Sequence, residues 1–314
     1  MGLFPKATYP YDLGLPVGPN SNCYFVDPTN GDDDYKGTCP EKAMKTVAAA
    51  EARCTANQND AVVLIGISAA NPITETLVWD KNFTHLVGLS ANLPGVGQRC
   101  RLTAGATDDL VEIMTISGTG CIFRNLQLAN GADAAVDSGA ATVTANRCEF
   151  KNVFFHGIGN AAIVGIRAGA YSLTLTGAHE NLFEDCTIGA DTIVRAAANA
   201  ELVMSAGSSK NTFNRCNFMS AASTAGKFMV SMDIPISGCG LNSFKECLFY
   251  NNSTNWATEV ANAFSITGAG GTYYIDLYRC RLVGVTAWST VVTHMYSGDP
   301  IPDAGFGVAV QPTS

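Results

Sequence analysis

An eight-residue pattern recurs along this chain at a spacing that points to stacked coils. It reads Asn181-Leu182-Phe183-Glu184-Asp185-Cys186-Thr187-Ile188, then Asn211-Thr212-Phe213-Asn214-Arg215-Cys216-Asn217-Phe218, then Asn242-Ser243-Phe244-Lys245-Glu246-Cys247-Leu248-Phe249. A looser copy, Ile275 to Leu282, surrounds Cys280; an earlier one, Ala145 to Phe150, surrounds Cys148; Ile122 to Leu128 puts Leu126 in the cysteine slot. Successive slots lie 22, 38, 30, 31 and 33 residues apart. Periods of that size and variability are the mark of a solenoid whose loops differ from coil to coil. Phe and Cys stand three positions apart, so both can point inward only across a bend. Cys and the next apolar residue stand two apart, on one face of a strand. A bend entering a short strand, once per coil, is the corner of a parallel β-helix.

The slot explains the cysteines. A small, weakly polar side chain fits a tight interior column, and free cysteine is among the most buried residue types. Cys148, Cys186, Cys216, Cys247 and Cys280 are therefore expected to form a buried ladder of reduced thiols, because parallel side chains on neighbouring coils rarely meet disulfide geometry. The residue before each cysteine is Arg147, Asp185, Arg215, Glu246 and Arg279 in turn. Beside an inward cysteine on a strand it should face solvent, and the alternating sign predicts an external charge ladder that helps hold register.

The chain has 314 residues, 47% of them hydrophobic and only 15% charged, with 31 glycines. So few charges argue against a helix-rich protein and for β structure with tight turns. A net charge of −8 without any Lys/Arg cluster argues against nucleic acid as a partner. Met1 to Asn20 lacks a signal-peptide pattern, and the longest apolar run, Ala61 to Ile67, is too short to span a bilayer. Eleven cysteines without a CxxC pair do not suggest a zinc site.

Three segments follow. Residues 1–22 form an extended arm rich in Pro and aromatic residues, either packed along its own domain or disordered, or docked on a neighbouring subunit. Residues 23–296 form the solenoid, with a capping helix over residues 40–53, Pro40 at its first position and Met44, Val47 and Ala48 on its apolar stripe. Residues 297–314 form an extended tail.

The strand and turn Tyr24-Phe25-Val26-Asp27-Pro28-Thr29-Asn30-Gly31-Asp32-Asp33-Asp34, Gly37-Thr38, the helix after it and Thr84-His85-Leu86-Val87-Gly88 resemble the opening of the right-handed parallel β-helix superfamily of pectate lyases, polygalacturonases and phage tailspikes. The resemblance covers residues 20–296. It implies an all-β, single-stranded right-handed parallel β-helix and says little about activity. Phage members of the group often trimerise.

Lyases of this fold use a basic residue with calcium held by acids, and hydrolases use close carboxylates. The candidate acids are Asp108, Asp109 and Glu112; Glu184 and Asp185; and Asp32, Asp33 and Asp34. They show no convergence in sequence, the histidines His85, His156, His179 and His294 share no register, and Trp79, Trp256 and Trp288 fall in unrelated segments. The reading is thus a non-enzymatic virion structural protein, a phage capsid decoration or spike-like component, with no catalytic, metal or cofactor residues. It would be a homo-oligomer, a trimer, contacting capsid proteins and free of membrane. The alternatives are a polysaccharide lyase or hydrolase, or a non-catalytic glycan-binding receptor protein.

Overall fold

The computed structural model describes residues 13–66, 71–89, 100–105, 110–131, 139–159, 169–195, 199–233, 240–252, 259–267, 273–291 and 295–297. Every strand pairing among them is parallel, which gives the right-handed β-helix its stacked coils. One face stacks Cys23–Val26, Ala61–Leu64, His85–Gly88, Ile122–Asn130, Glu149–His156, Leu182–Glu184, Thr212–Asn214, Gly240–Lys245, Tyr273–Tyr278 and Met295–Ser297 in chain order. A second face, continuous with it, carries Cys100–Ala104, Thr187–Arg195, Asn217–Ala222, Leu248–Asn251 and Arg281–Val283. A third is a separate seven-stranded sheet running from Leu77–Trp79 to Phe264–Thr267.

The bend between Phe and Cys is a single left-handed residue. Asn125, Asn152, Asp185, Arg215, Glu246 and Arg279 all have φ between 51 and 57°. Apart from glycine, only asparagine and aspartate adopt that conformation with any ease, so the Arg215, Glu246 and Arg279 corners are strained unless their surroundings hold them. The next cysteine helps: its thiol donates to the carbonyl of the phenylalanine one coil below. The contacts are Cys186 to Phe150 (3.3 Å), Cys216 to Phe183 (3.4 Å), Cys247 to Phe213 (3.4 Å) and Cys280 to Phe244 (3.2 Å).

The pairing register corrects the place of Cys148 and Arg147. Phe150 pairs with Phe123 below and Phe183 above, which puts Val153, not Cys148, on Leu126 and beneath Cys186. The slot therefore runs Leu126, Val153, Cys186, Cys216, Cys247, Cys280, and its spacings become 27, 33, 30, 31 and 33 residues. Cys148 immediately precedes the strand Glu149–His156, above Cys121 and below Asn181, whose Oδ1 accepts its backbone N–H at 2.8 Å. Higher up, this column becomes the buried amide ladder Asn181, Asn211 and Asn242, with Nδ2 to Oδ1 contacts of 3.0 and 3.2 Å. The cysteine is a misleading anchor because cysteine fills the lower positions of that column and asparagine the upper ones. Alignment on the phenylalanine places it correctly.

Arg147 moves with Cys148. It is the left-handed residue of the second corner, and it pairs with Glu180 (2.7 Å), which also meets Lys210 (3.5 Å). The remaining charge column holds Arg215 to Asp185 at 2.7 Å and Arg279 to Glu246 at 3.7 Å. These residues occupy corners rather than strand positions.

Cys186, Cys216 and Cys247 are fully buried and Cys280, near the last coil, is half-buried. Burial raises the Cys216 thiol well above the usual range, and hydrogen bonding with Cys216 raises Cys247. A thiol kept protonated and out of solvent is a poor nucleophile. A disulfide-exchange reagent applied without denaturant should therefore label Cys186, Cys216 and Cys247 far more slowly than in the unfolded chain. Rapid labelling would contradict the packing.

The interior is dominated by a stack of rings. Phe123, Phe150, Phe183, Phe213 and Phe244 lie with successive centroids 5.0, 4.6, 4.7 and 4.8 Å apart, nearly parallel. That spacing equals the distance between coils, so one residue type repeated in register generates the stack.

The cap differs from the continuous helix expected over residues 40–53. Pro40–Lys42 is one 3-10 turn, and the α-helix proper is Val47–Arg53. Between them Met44 is extended and pairs with Val26, exchanging backbone hydrogen bonds with Phe25 and Asp27 (both 2.8 Å). Strand pairing at the base of the solenoid thus overrides helix propensity. Asp33 stabilises the restart, accepting Lys45 N and Thr46 N at 2.8 Å each, while Thr46 caps the helix.

Residues 13–22 of the arm lie on the chain's own first coils. Leu15 is buried against Cys23, Phe25, Ala61, Val63 and Val87, and Gly14 O accepts from Arg124 at 3.1 Å. Residues 1–12 and the tail 298–314 lie outside the described residues.

Candidate ligand groove

The second face carries a groove of about 460 Å³ lined by Arg101, Gln127, Phe154, His156, Asp191 and Met219 among others. Strand pairing explains why these side chains meet. Arg101 pairs with Gln127, Gln127 with Phe154 and Phe154 with Thr187, so one outward column crosses four coils. Arg101 Nε donates to Gln127 Oε1 at 2.9 Å, which fixes the guanidinium at one end. Phe154 and His156, two apart on the same strand face, stack with centroids 5.7 Å apart.

Asp191 reaches the groove through a bulge. The strand Thr187–Arg195 keeps register with Asn217–Ala222 up to Ala190, then shifts, and pairing resumes at Val194. Asp191 and Thr192 lie in the looped-out stretch and line the groove. Bulges re-aim side chains in this way. Asn252 Nδ2 lies 3.4 Å from Asp191 Oδ2.

Behind the groove is a buried ionic network that sequence reading missed. Glu201 (0% exposed) accepts from Arg195 Nη1 at 2.8 Å and from Ser172 Oγ at 2.7 Å, and its Oε1 lies 3.1 Å from Lys227 Nζ. Asn199 Oδ1 accepts from both cations, at 2.6 and 2.9 Å. Although burial alone would raise it, Glu201 is drawn down to about 2 by Arg195 and Lys227. Burial, then Arg195, pushes Lys227 down to about 7. Gly189, at φ +96°, lies against the network; a Cβ there would fall 2.1 Å from Met219 O and 2.8 Å from Glu201. The one legible signal was Glu201 itself, a carboxylate inside the strand Ala200–Ser205 of a charge-poor chain.

The acids singled out from sequence do not assemble on the groove. Asp33 is engaged in capping, Glu184 and Asp185 hold Arg215, and Glu112 lies 3.2 Å from Tyr171 Oη. Asp108, Asp109, Trp256 and His294 lie outside the described residues. Trp79 packs edge-on against Phe123 in the core, and Trp288 against Phe249. His85 is buried, lowered to about 4 by burial and Arg124, with its ring nitrogens facing Asn59 Oδ1 and Ile122 N. Among the described residues no three His, Cys, Asp or Glu side chains stand as a metal-binding group, and no helix is long and apolar enough to cross a membrane.

These coils define a right-handed parallel β-helix, a fold shared with pectate lyases. A pectate lyase matches with a TM-score of 0.60 at 14% identity, over 85% of this chain and 64% of its own. A pectin methylesterase in complex with a hexasaccharide matches with 0.58 at 16% identity, over 88% of both chains. A Geobacillus virus E2 protein, ORF18, matches with 0.51 at 10% identity, over 88% of this chain and 61% of its own. At such identities the likeness is one of fold. No sequence family and no curated protein matches the chain.

Proposed function

We propose that this chain is a non-enzymatic structural protein of a virus particle, a spike-like or decoration component that displays the groove on its flank. The observation that carries this reading is the groove's chemistry. Among the described residues its wall holds one carboxylate, Asp191, with a guanidinium, an imidazole and a phenyl ring. Acid–base cleavage of a glycosidic bond takes two carboxylates about 5–9.5 Å apart, whereas one carboxylate suits recognition. A core of stacked rings and amides makes a stiff body, which suits an exposed particle component. The fold is also that of a phage protein, ORF18. Its partners would be two further copies of itself and capsid proteins.

Two measurements test the reading. Light scattering behind a sizing column should give three times 32.9 kDa; a clean monomer counts against a self-standing spike. Incubation with pectin, polygalacturonate and neutral polysaccharides should release neither reducing ends nor unsaturated products. Turnover lost on Asp191→Asn would replace this reading with that of a polysaccharide lyase or hydrolase; a pectate lyase and a rhamnogalacturonan lyase are among the proteins of like fold.

A further inference from the structure

The buried network behind the groove brings together an amine and a carboxamide. Lys227 and Asn199 stand immediately ahead of Phe228 and Ala200, which pair across adjacent coils, so the two residues are neighbours in one column. Lys227 Nζ lies 2.9 Å from Asn199 Oδ1 and 3.1 Å from Glu201 Oε1, and Arg195 Nη2 donates to that same Asn199 oxygen at 2.6 Å. All four side chains are buried. A nucleophile, an acyl group, a proton carrier and a cation on the acyl oxygen are the parts of an acyl transfer. Burial, then Arg195, holds Lys227 down to about 7, so the unprotonated amine is present at neutral pH; desolvation beside another cation is how a lysine becomes a nucleophile. Arg195 faces the oxygen on which negative charge would develop. Burial alone would raise Glu201, but Arg195 and then Lys227 keep it ionised and able to accept a proton. The fold supplies proximity, and exclusion of water suppresses the competing hydrolysis of the carboxamide.

We infer that Lys227 and Asn199 react with each other in the folded chain to form an isopeptide bond, with Glu201 carrying the proton. The Nζ lone pair attacks Cγ, the atom bonded to Oδ1, and the oxyanion of the resulting tetrahedral carbon faces Arg195. Glu201 takes a proton from Nζ and delivers it to Nδ2; the Cγ–Nδ2 bond breaks and ammonia leaves. One amide replaces another, with no change of oxidation state and no co-reactant. The product ties one coil to the next and closes a covalent loop over residues 199–227. Such a tie suits a stiff exposed body, but the chemistry stands whether or not the chain is a particle component. The ionic network is the unlinked state, and only in that state does Lys227 titrate.

The test is the intact mass of the full native chain, followed by electrospray mass spectrometry during incubation at pH 5 and pH 8. The chain should be lighter than its sequence mass by one ammonia molecule, in a fraction that grows on standing at pH 8. Below the pKa of the amine the rate should fall by about tenfold per pH unit. The charged and titratable groups facing Lys227 are Arg195 and Glu201, with His156 beside both. Proteolysis of the linked chain should give a branched peptide joining Asn199 to Lys227. Cyclisation of Asn199 onto the nitrogen of Ala200 loses the same mass; it would survive in Lys227→Met, whereas linkage would not. The branched peptide, read on the parent chain, decides the case should that variant not fold. Folded parent protein that holds its sequence mass throughout at pH 8, ammonia loss persisting in Lys227→Met, or a folded Glu201→Gln protein linking at the parental rate would overturn the inference.

Discussion

Glu201→Gln should cost about 3–5 kcal/mol of unfolding free energy, read as a lower urea midpoint at constant slope. The carboxylate is the counter-charge for Arg195, itself 2% exposed, and removing one partner of a buried pair strands the other. Arg195 Nε already has no hydrogen-bond partner, so the site has no slack to absorb the loss. Lys227 allows a finer test. In the unfolded chain it holds its proton to about 10.5, whereas in the fold it releases it near 7. Between those values the unfolded state binds more protons, so this residue's contribution to stability rises with pH over that window. Lys227→Met should remove that rise. Glu201 acts at the other end: its folded pKa is depressed, so its contribution is present above the unfolded value of 4.5 and fades as pH falls toward 2. A stability curve for the parent protein that is flat from pH 7 to 10, with no difference from Lys227→Met, would refute this account of the network.

Phe183→Ala should cost about 3–5 kcal/mol, the usual range for truncating a buried ring. Phe183 is wholly buried and stacks on Phe150 and Phe213 at 4.6 and 4.7 Å. The coils above and below are fixed by backbone ladders at its own height, so neighbouring rings cannot close the gap. Phe183→Leu, which refills part of the volume, should recover much of the loss. Equal effects of the two substitutions on the chemical-denaturation midpoint would show that the column collapses around a void, contrary to a rigid stack.

The solenoid was legible because its signal is repetitive. Each coil needs a ring beside the first bend, a small residue after it and an apolar residue two further on, and one chain shows that demand repeatedly. Misplacing Cys148 has a local cause: Cys121 and Cys148 fill the column that Asn181, Asn211 and Asn242 fill above them. The irregular spacings around Cys148 were the available warning. The split cap has a different cause. Pro40 to Arg53 has helical periodicity, yet Phe25 and Asp27 recruit Met44 into backbone pairing at the open end of the stack, and periodicity carries no information about a strand 18 residues earlier.

The groove was not legible at all. Arg101, Phe154, His156 and Asp191 come from three coils, with loops of different lengths between them, and only lateral pairing makes them neighbours. The sequence by itself determined the class of fold, the ring stack and the small-residue columns, because each is written once per coil by the period-2 and corner geometry of a single strand. Tertiary structure alone decided the register between coils, the bulge that turns Asp191 outward and the burial of Glu201 between two cations. Those depend on how far each loop travels before its strand docks, a distance that residue pattern does not encode.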